Sequence, residues 1–149
     1  MKIILRPTLF LFILFFLPAV PSSAQRSLTP QQIERVKTSK QLIEEVDSKS
    51  LQRTIDELEE SRYPDLNLQI MEVIVRTYAD IVKENNVVGL KNKQWLYSMI
   101  ALNMANLQFG GNVGKGGRDT SLNSLITHKL KKYLPEEAMH HPGFSKSVE

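Results

Sequence analysis

Cysteine is absent from the 149 residues of the chain. The fold therefore depends on its own core rather than on disulfide bonds, and neither a lipid anchor on cysteine nor a cysteine nucleophile is available. Signatures of other catalytic sites are missing too, since the sequence contains no Gly-x-Ser-x-Gly elbow and no His-Glu-x-x-His pair. We therefore predict a protein that is not an enzyme.

Aromatic residues are also scarce, at 7% of the sequence, and four of the six phenylalanines lie within the first 24 residues. A platform that stacks nucleobases needs more aromatic side chains than the remainder offers. The net charge of residues 25–149 is close to zero, because without Lys2 and Arg6 they include 17 basic and 16 acidic residues. We expect no nucleic-acid partner for such a chain.

The first 24 residues have the composition of a secretory signal peptide. Lys2 and Arg6 precede an uninterrupted apolar run over residues 9–17, and residues 22–24 are small, as signal peptidase requires. The run is too short to span a bilayer, and no later apolar stretch is long enough either. The sequence thus predicts a signal peptide at 1–24 and a mature chain without a transmembrane segment, either periplasmic or secreted, from a bacterium.

Helical periodicity dominates the rest of the chain, and no segment sustains the alternation that is typical of a strand. Thr29, Pro30 and Gln32 form a capping-box pattern that predicts the first helix start. Four more helices are predicted after it, over about 48–62, 66–84, 91–108 and 119–134. The sequence therefore predicts an all-α domain over 25–134, a single small bundle of four to five helices.

The predicted helix at 91–108 is apolar nearly all round, so we expect it at the centre of the fold, in a hairpin with the helix at 66–84. Residues 135–149 are predicted to form a short turn and a loose tail. Within that turn, helical spacing groups two carboxylates and two imidazoles, those of Glu136, Glu137, His140 and His141. Because the segment is short and has no further ligand cluster, we interpret it as a solvated turn and expect no metal or cofactor.

A glycine-rich loop precedes the last long helix, with five glycines among residues 110–117. Lys115 and Arg118 lie just before the first turn of that helix, whose backbone amides could hold an anion. The loop is not a Walker A motif, because Gly116 stands where that motif has Ser or Thr. Two interpretations stay open: the two basic residues bind an anionic ligand, or the loop is a flexible connector.

Two amides on the fourth predicted helix, Asn103 and Asn106, share a helical side with apolar residues rather than with its polar strip. Buried amides need hydrogen-bond partners. Either Asn103, Asn106 and Trp95 line a polar ligand pocket, or the amides fasten a neighbouring helix or loop.

Export combined with the absence of catalytic motifs predicts a function in protein binding. The protein would act as an adaptor, an inhibitor or immunity-type protein, or a secreted accessory factor. The predicted contact surfaces are the second helix, with its acidic cluster at 56–60, and the glycine-rich loop. The alternative is a small-ligand or anion carrier that uses the loop at 110–118 together with Asn103 and Asn106.

Overall fold

The computed structural model describes residues 27–43, 46–85, 89–109 and 120–144. The predicted signal peptide at 1–24 and the glycine-rich loop, with Lys115 and Arg118, lie outside these ranges. Six helices follow one another in the described part of the chain: α1 Pro30–Gln41, α2 Ser48–Glu60, α3 Pro64–Glu84, α4 Leu90–Phe109, α5 Thr120–Tyr133 and α6 Glu136–Met139. These ranges contain no strand, and the all-α helical bundle predicted from the sequence is confirmed.

Local sequence rules explain where the first helices begin. The Thr29 side chain accepts from the backbone of Gln32, whose side chain accepts from the Thr29 backbone in return, which completes the predicted capping box of α1. Asp47 caps α2 by accepting from the backbone N–H of Ser50. Pro64 occupies the first turn of α3, where its missing N–H has no intrahelical partner to lose.

Helix α3 is the centre of the fold, because it contacts α1, α2, α4 and α5 and has 11 of its 21 residues buried. One side of α3 contributes Ile70 and Ile74 to the larger core cluster, which it shares with α4 and α5. Another side contributes Leu68 and Val75 to a second cluster, shared with α1 and α2. The helix at 91–108, expected at the centre from its apolar composition, lies instead at the edge of the bundle as α4.

Polar contacts join α1 to its two neighbours. The Arg35 guanidinium donates to both carboxylate oxygens of Glu72 on α3, over 2.8 and 2.6 Å. Lys40 is only 2% exposed, and its Nζ donates to Oγ1 of Thr54 on α2 over 3.2 Å. These contacts fix α1 and α2 on the side of α3 that is away from α4.

The described part of the C-terminal segment packs against the core instead of forming the expected loose tail. Ala138 and Phe144 are buried members of the larger cluster. Gly143 lies so close to the Tyr63 ring that a Cβ added there would be 2.5 Å from Cδ2 of that ring. Its carbonyl accepts from Nε2 of Gln108 at the end of α4. The short turn predicted in this segment is helix α6, and packing against the core continues to residue 144.

None of the helices in the described ranges has the combination of length and apolar character that is needed to cross a membrane.

Candidate functional site

The most unusual surface of the described residues is one side of α4. Trp95, Leu102 and Phe109 are 51%, 48% and 41% exposed. They are spaced seven residues apart, which is about two helical turns, so they follow one another along the same side of the helix. Exposed Ser98 and half-buried Ala105 fill the intervals between them. We call these five residues the outer face of α4.

The opposite side of α4 explains why this face points outward. Tyr97, Ile100 and Met104 are buried in the larger core cluster, where the Tyr97 ring meets Tyr78 of α3 edge to face at 5.7 Å. A helix that is apolar all round can bury only the sides that have a neighbour. Within the described part of the chain, the helices that pack most closely against α4 are α3 and α5, and the side of α4 that carries Trp95, Leu102 and Phe109 is exposed.

Single exposed apolar residues are common on protein surfaces, whereas several on one side of a helix form a candidate interaction surface. Only five large hydrophobic side chains of the described residues are exposed, and three of them lie on the outer face of α4. The other two, Leu42 and Met139, lie on different parts of the chain. Each Å² of apolar surface removed from water contributes roughly 25 cal/mol, so covering this row stabilises a complex.

The charge of α4 is of one sign, because the helix contains lysines and no acidic residue. Lys91 and Lys93 lie in its first turn, where the partial positive charge of the helix dipole disfavours cations. The start of α4 therefore favours contact with groups of negative character.

The structure places Asn103 in the contact between α4 and α5. Its Nδ2 donates to the Met99 carbonyl at 2.8 Å and to Oδ1 of Asn123 at 3.1 Å, and its Oδ1 accepts from the Thr127 hydroxyl at 3.3 Å. Asn103 is 6% exposed, so these bonds satisfy a buried amide. The arrangement corresponds to the fastening interpretation of this residue.

Asn106 and Trp95 occupy other positions on α4. Asn106 is half-buried, and its Nδ2 donates to the Leu102 carbonyl in its own helix at 2.8 Å. Trp95 is exposed on the outer face, away from the buried amide of Asn103. The structure therefore does not bring Asn103 and Trp95 together in one pocket, and Lys115 and Arg118 lie outside the described residues.

A second polar cluster ties α5 to α3. The Tyr133 hydroxyl donates to the Asp80 carboxylate, and this hydrogen bond raises the pKa of Tyr133. One turn away, Nζ of Lys129 donates to Glu84 at 2.8 Å, which raises the pKa of Lys129. The Arg76 guanidinium lies 4.3 Å from the centre of the Tyr133 ring. The cluster connects two helices, and its members are already engaged with one another.

The carboxylates and imidazoles of the C-terminal turn do not form a metal site in the structure. Nε2 of His140 lies 3.9 Å from Glu136, and both side chains are largely exposed. Across the residues that the structure describes, no three His, Asp or Glu side chains form a group that could hold a metal ion.

The apolar circumference of α4 was the sequence signal for its outer face. Composition alone does not show whether such a helix lies at the centre of a fold or at its edge. An apolar helix circumference is typical of a central helix, but it is equally typical of an edge helix with an interaction face. Only the positions of α3 and α5 distinguish the two cases. No comparison supplies a relative, because no protein-family model, curated protein or solved structure matches the chain.

Proposed function

We propose that this is a small exported protein that acts by binding another polypeptide through the outer face of α4. The observation that carries the proposal is the row of Trp95, Leu102 and Phe109, which is apolar and half exposed over the length of a helix. Aromatic side chains contribute strongly to protein interfaces, because each offers a large area with few rotatable bonds. Export is supported by the pattern of Lys2, Arg6 and the apolar run at 9–17.

The shape of the face favours a helical partner. Trp95, Leu102 and Phe109 recur every two turns along α4, and the side chains between them on this side, Ser98, Met99, Ala105 and Asn106, are of mixed size. Side-chain ridges of a second helix fit between large side chains spaced in this way. Recognition of this kind lays the apolar stripe of one helix along that of another.

The two surfaces favoured from the sequence have less support. Helix α2 turns its apolar residues inward, with Ile55 and Leu58 buried against the second cluster, and its exposed side carries the polar and acidic residues. Solvated charge of this kind contributes little to binding by itself. The glycine-rich loop follows Phe109 directly in sequence and lies outside the described residues.

The carrier alternative rests on Asn103, Asn106 and the basic pair in the loop. Asn103 already has three hydrogen-bond partners within the bundle, which leaves its amide little capacity for a ligand. We therefore propose the outer face of α4, rather than the buried Asn103 amide, as the binding surface.

A photo-crosslinking amino acid at position 102 tests the proposal in the organism that makes the protein. We expect light-dependent adducts of defined mass from position 102. The matched control is the same amino acid at Gln52, which is exposed on α2. Absence of adducts at 102, or equal adducts from both positions, would contradict the proposed function.

A further inference from the structure

We infer that residues 140–144, which we call the C-terminal strap, form a pH-sensitive latch. The strap is closed while the His141 imidazole is neutral, and it opens when that imidazole takes up a proton. This latch is independent of the binding function proposed above, because the contacts that close it do not involve the outer face of α4.

The strap lies against the start of α3 and the end of α4. Phe144 is 8% exposed and belongs to the larger core cluster. The Gly143 carbonyl accepts from Nε2 of Gln108 over 3.3 Å. Gly143 also lies against the Tyr63 ring, so closely that a Cβ at this position would collide with it. The placement of the Gly143 peptide therefore decides whether the strap can close.

The His141 side chain fixes that peptide. Its Nδ1 accepts from the backbone N–H of Gly143 over 3.0 Å. A side-chain acceptor that bonds the N–H two residues later closes a turn of the kind that Asn and Asp form. The His141 ring also meets the Tyr63 ring edge to face, with 4.8 Å between the ring centres. His141 thus holds Gly143 in the conformation that reaches both Tyr63 and Gln108.

The hydrogen bond between His141 and Gly143 requires a neutral imidazole. A neutral imidazole has one nitrogen that can accept, whereas both nitrogens of the cation carry hydrogen and only donate. Proton uptake at Nδ1 therefore sets the ring N–H against the N–H of Gly143. Either the Gly143 N–H loses its acceptor or the His141 ring turns away from Tyr63, and both changes weaken the closed strap.

The direction of the pH effect follows from the protons bound in each form. In the open strap, His141 takes up a proton without losing a hydrogen bond, so the open form binds more protons than the closed form. The closed form is therefore favoured as the pH rises and disfavoured as the pH falls. Because imidazoles ordinarily change charge between pH 5 and 8, we expect the strap to open as the pH falls through that range.

The charged and titratable groups on the elements packed against the strap do not oppose this direction. The Arg62 guanidinium lies 5.3 Å from the centre of the Tyr63 ring, so a cation is already present beside the ring that His141 contacts. Phenol hydroxyl groups such as that of Tyr63 are neutral between pH 5 and 8. In the first turn of α3, Asp65 accepts from a glutamine side chain of α1. The contact from α4 is the uncharged Gln108 amide.

The carboxylates on the same segment as His141 have a small effect. Glu136 lies 3.9 Å from the neighbouring His140 imidazole. Glu137 precedes His141 by four residues, and it is exposed to solvent. Its attraction for a proton on His141 is therefore screened by water and salt.

Hydrogen exchange of the Phe144 backbone amide measures opening of the strap. In the closed strap this N–H donates to the His141 carbonyl over 2.8 Å, and the residue is buried. The test variant is His141→Asn, because asparagine can accept from the same Gly143 N–H in a turn of the same kind and does not titrate. The residues on both sides of the Phe144 amide are unchanged in this variant. Dividing the exchange rate of the unaltered protein by that of His141→Asn at the same pH therefore removes the intrinsic effect of pH on exchange.

We expect this ratio to be constant above about pH 7.5 and to rise about three- to tenfold as the pH falls to 5, which corresponds to the loss of one hydrogen bond. His140→Asn is the matched control, because the His140 side chain is exposed and makes no contact with Gly143. It should keep the pH dependence of the unaltered protein. A ratio that stays constant from pH 7.5 to 5 would overturn the latch.

Two further measurements distinguish opening of the strap from unfolding of the domain. His141→Ala lacks the acceptor at every pH, so its Phe144 amide should exchange about three- to tenfold faster than that of His141→Asn at pH 7.5 as well as at pH 5. The amide of Ile126, which is fully buried on α5, should stay protected in all variants. Exchange at Ile126 that accelerates together with exchange at Phe144 would show that the whole domain opens, and would overturn the latch.

Discussion

Asn103 on α4 and Asn123 on α5 join their helices through an amide hydrogen bond of 3.1 Å. The bond fixes the rotation of α4 about its own axis, because the side of the helix that holds Asn103 must face α5. With Tyr97 and Ile100 buried in the core that α3 shares with α4, the remaining side is turned to solvent. The orientation of the outer face is thus set by contacts elsewhere on the same helix.

Replacing Asn103 with alanine removes the buried link between α4 and α5. We expect the free energy of unfolding to fall by about 1–3 kcal/mol, because Asn123 and Thr127 lose a partner in a half-buried contact. Chemical denaturation measures the loss. Asn106→Ala is the matched control, since the Asn106 amide bonds only within its own helix at this site, and we expect about 0.5 kcal/mol or less. Equal losses for both variants would contradict the fastening role.

The hydrogen bond from Tyr133 to Asp80 predicts a stability change at alkaline pH. The folded-state pKa of Tyr133 is raised above its unfolded value, chiefly by that hydrogen bond. The stabilisation is therefore fully present below the unfolded pKa and is lost as pH rises through the folded pKa. Tyr133→Phe should lower stability near neutral pH and flatten its decline above pH 10.

Asp80→Asn gives an independent check of the same contact. This variant keeps a side chain of similar size at position 80 but removes the carboxylate that holds the Tyr133 proton. Unfolding measured by circular dichroism across the alkaline range should show a smaller pH dependence than the unaltered protein. An unchanged alkaline profile in both variants would show that the contact does not contribute.

The C-terminal segment is predicted to be necessary for stability. Phe144→Ala removes a buried side chain from the larger cluster, and we expect a loss of about 3 kcal/mol. Gly143→Ala introduces a Cβ into the Tyr63 ring and the side chain of Leu66, so we expect a loss of about 1–3 kcal/mol from overpacking. Thermal unfolding measures both. A loss under about 0.5 kcal/mol in each case would indicate a loose tail after all.

Export predicts a defined N-terminus. If the segment at 1–24 is a signal peptide, the protein recovered from the periplasm or culture fluid should begin at Gln25. N-terminal sequencing or intact-mass measurement of the recovered protein tests this. A chain that is found inside the cell with Met1 and the apolar run still attached would contradict export.

Local chemistry was enough to predict the helices but not their arrangement. Thr29, Gln32 and Asp47 act on backbone groups within three residues, so their capping roles follow from spacing alone. The partners of Asn103 are 20 and 24 residues away, and spacing does not specify them. The sequence predicted that the Asn103 amide needed a partner, and only the fold shows that its partners on α5 are Asn123 and Thr127.

Two expectations differ from the structure for physical reasons. Pro142 and Gly143 are residue types that are typical of a loose tail. In the structure, Gly143 has no Cβ and so allows the chain to pass close to Tyr63 and to bury Phe144. Helix α4 has no strongly polar side, so its sequence does not indicate which side of the helix is buried. A helix of that composition can lie at the centre of a bundle or at its edge with an exposed interaction surface. In this bundle the central helix is α3.

Trp95 provides the most direct test that another polypeptide covers the outer face of α4, because it is the only tryptophan in the chain. Its fluorescence should shift to shorter wavelength and become protected from acrylamide quenching when the purified protein is titrated with the polypeptide that crosslinks to position 102. Leu102→Asp should keep Trp95 fully quenchable at every concentration of that polypeptide. Leu42→Asp, which alters a similarly exposed leucine at the end of α1, should behave as the unaltered protein. An emission spectrum and a quenching constant of the unaltered protein that do not change as that polypeptide is added would contradict the binding function of this face.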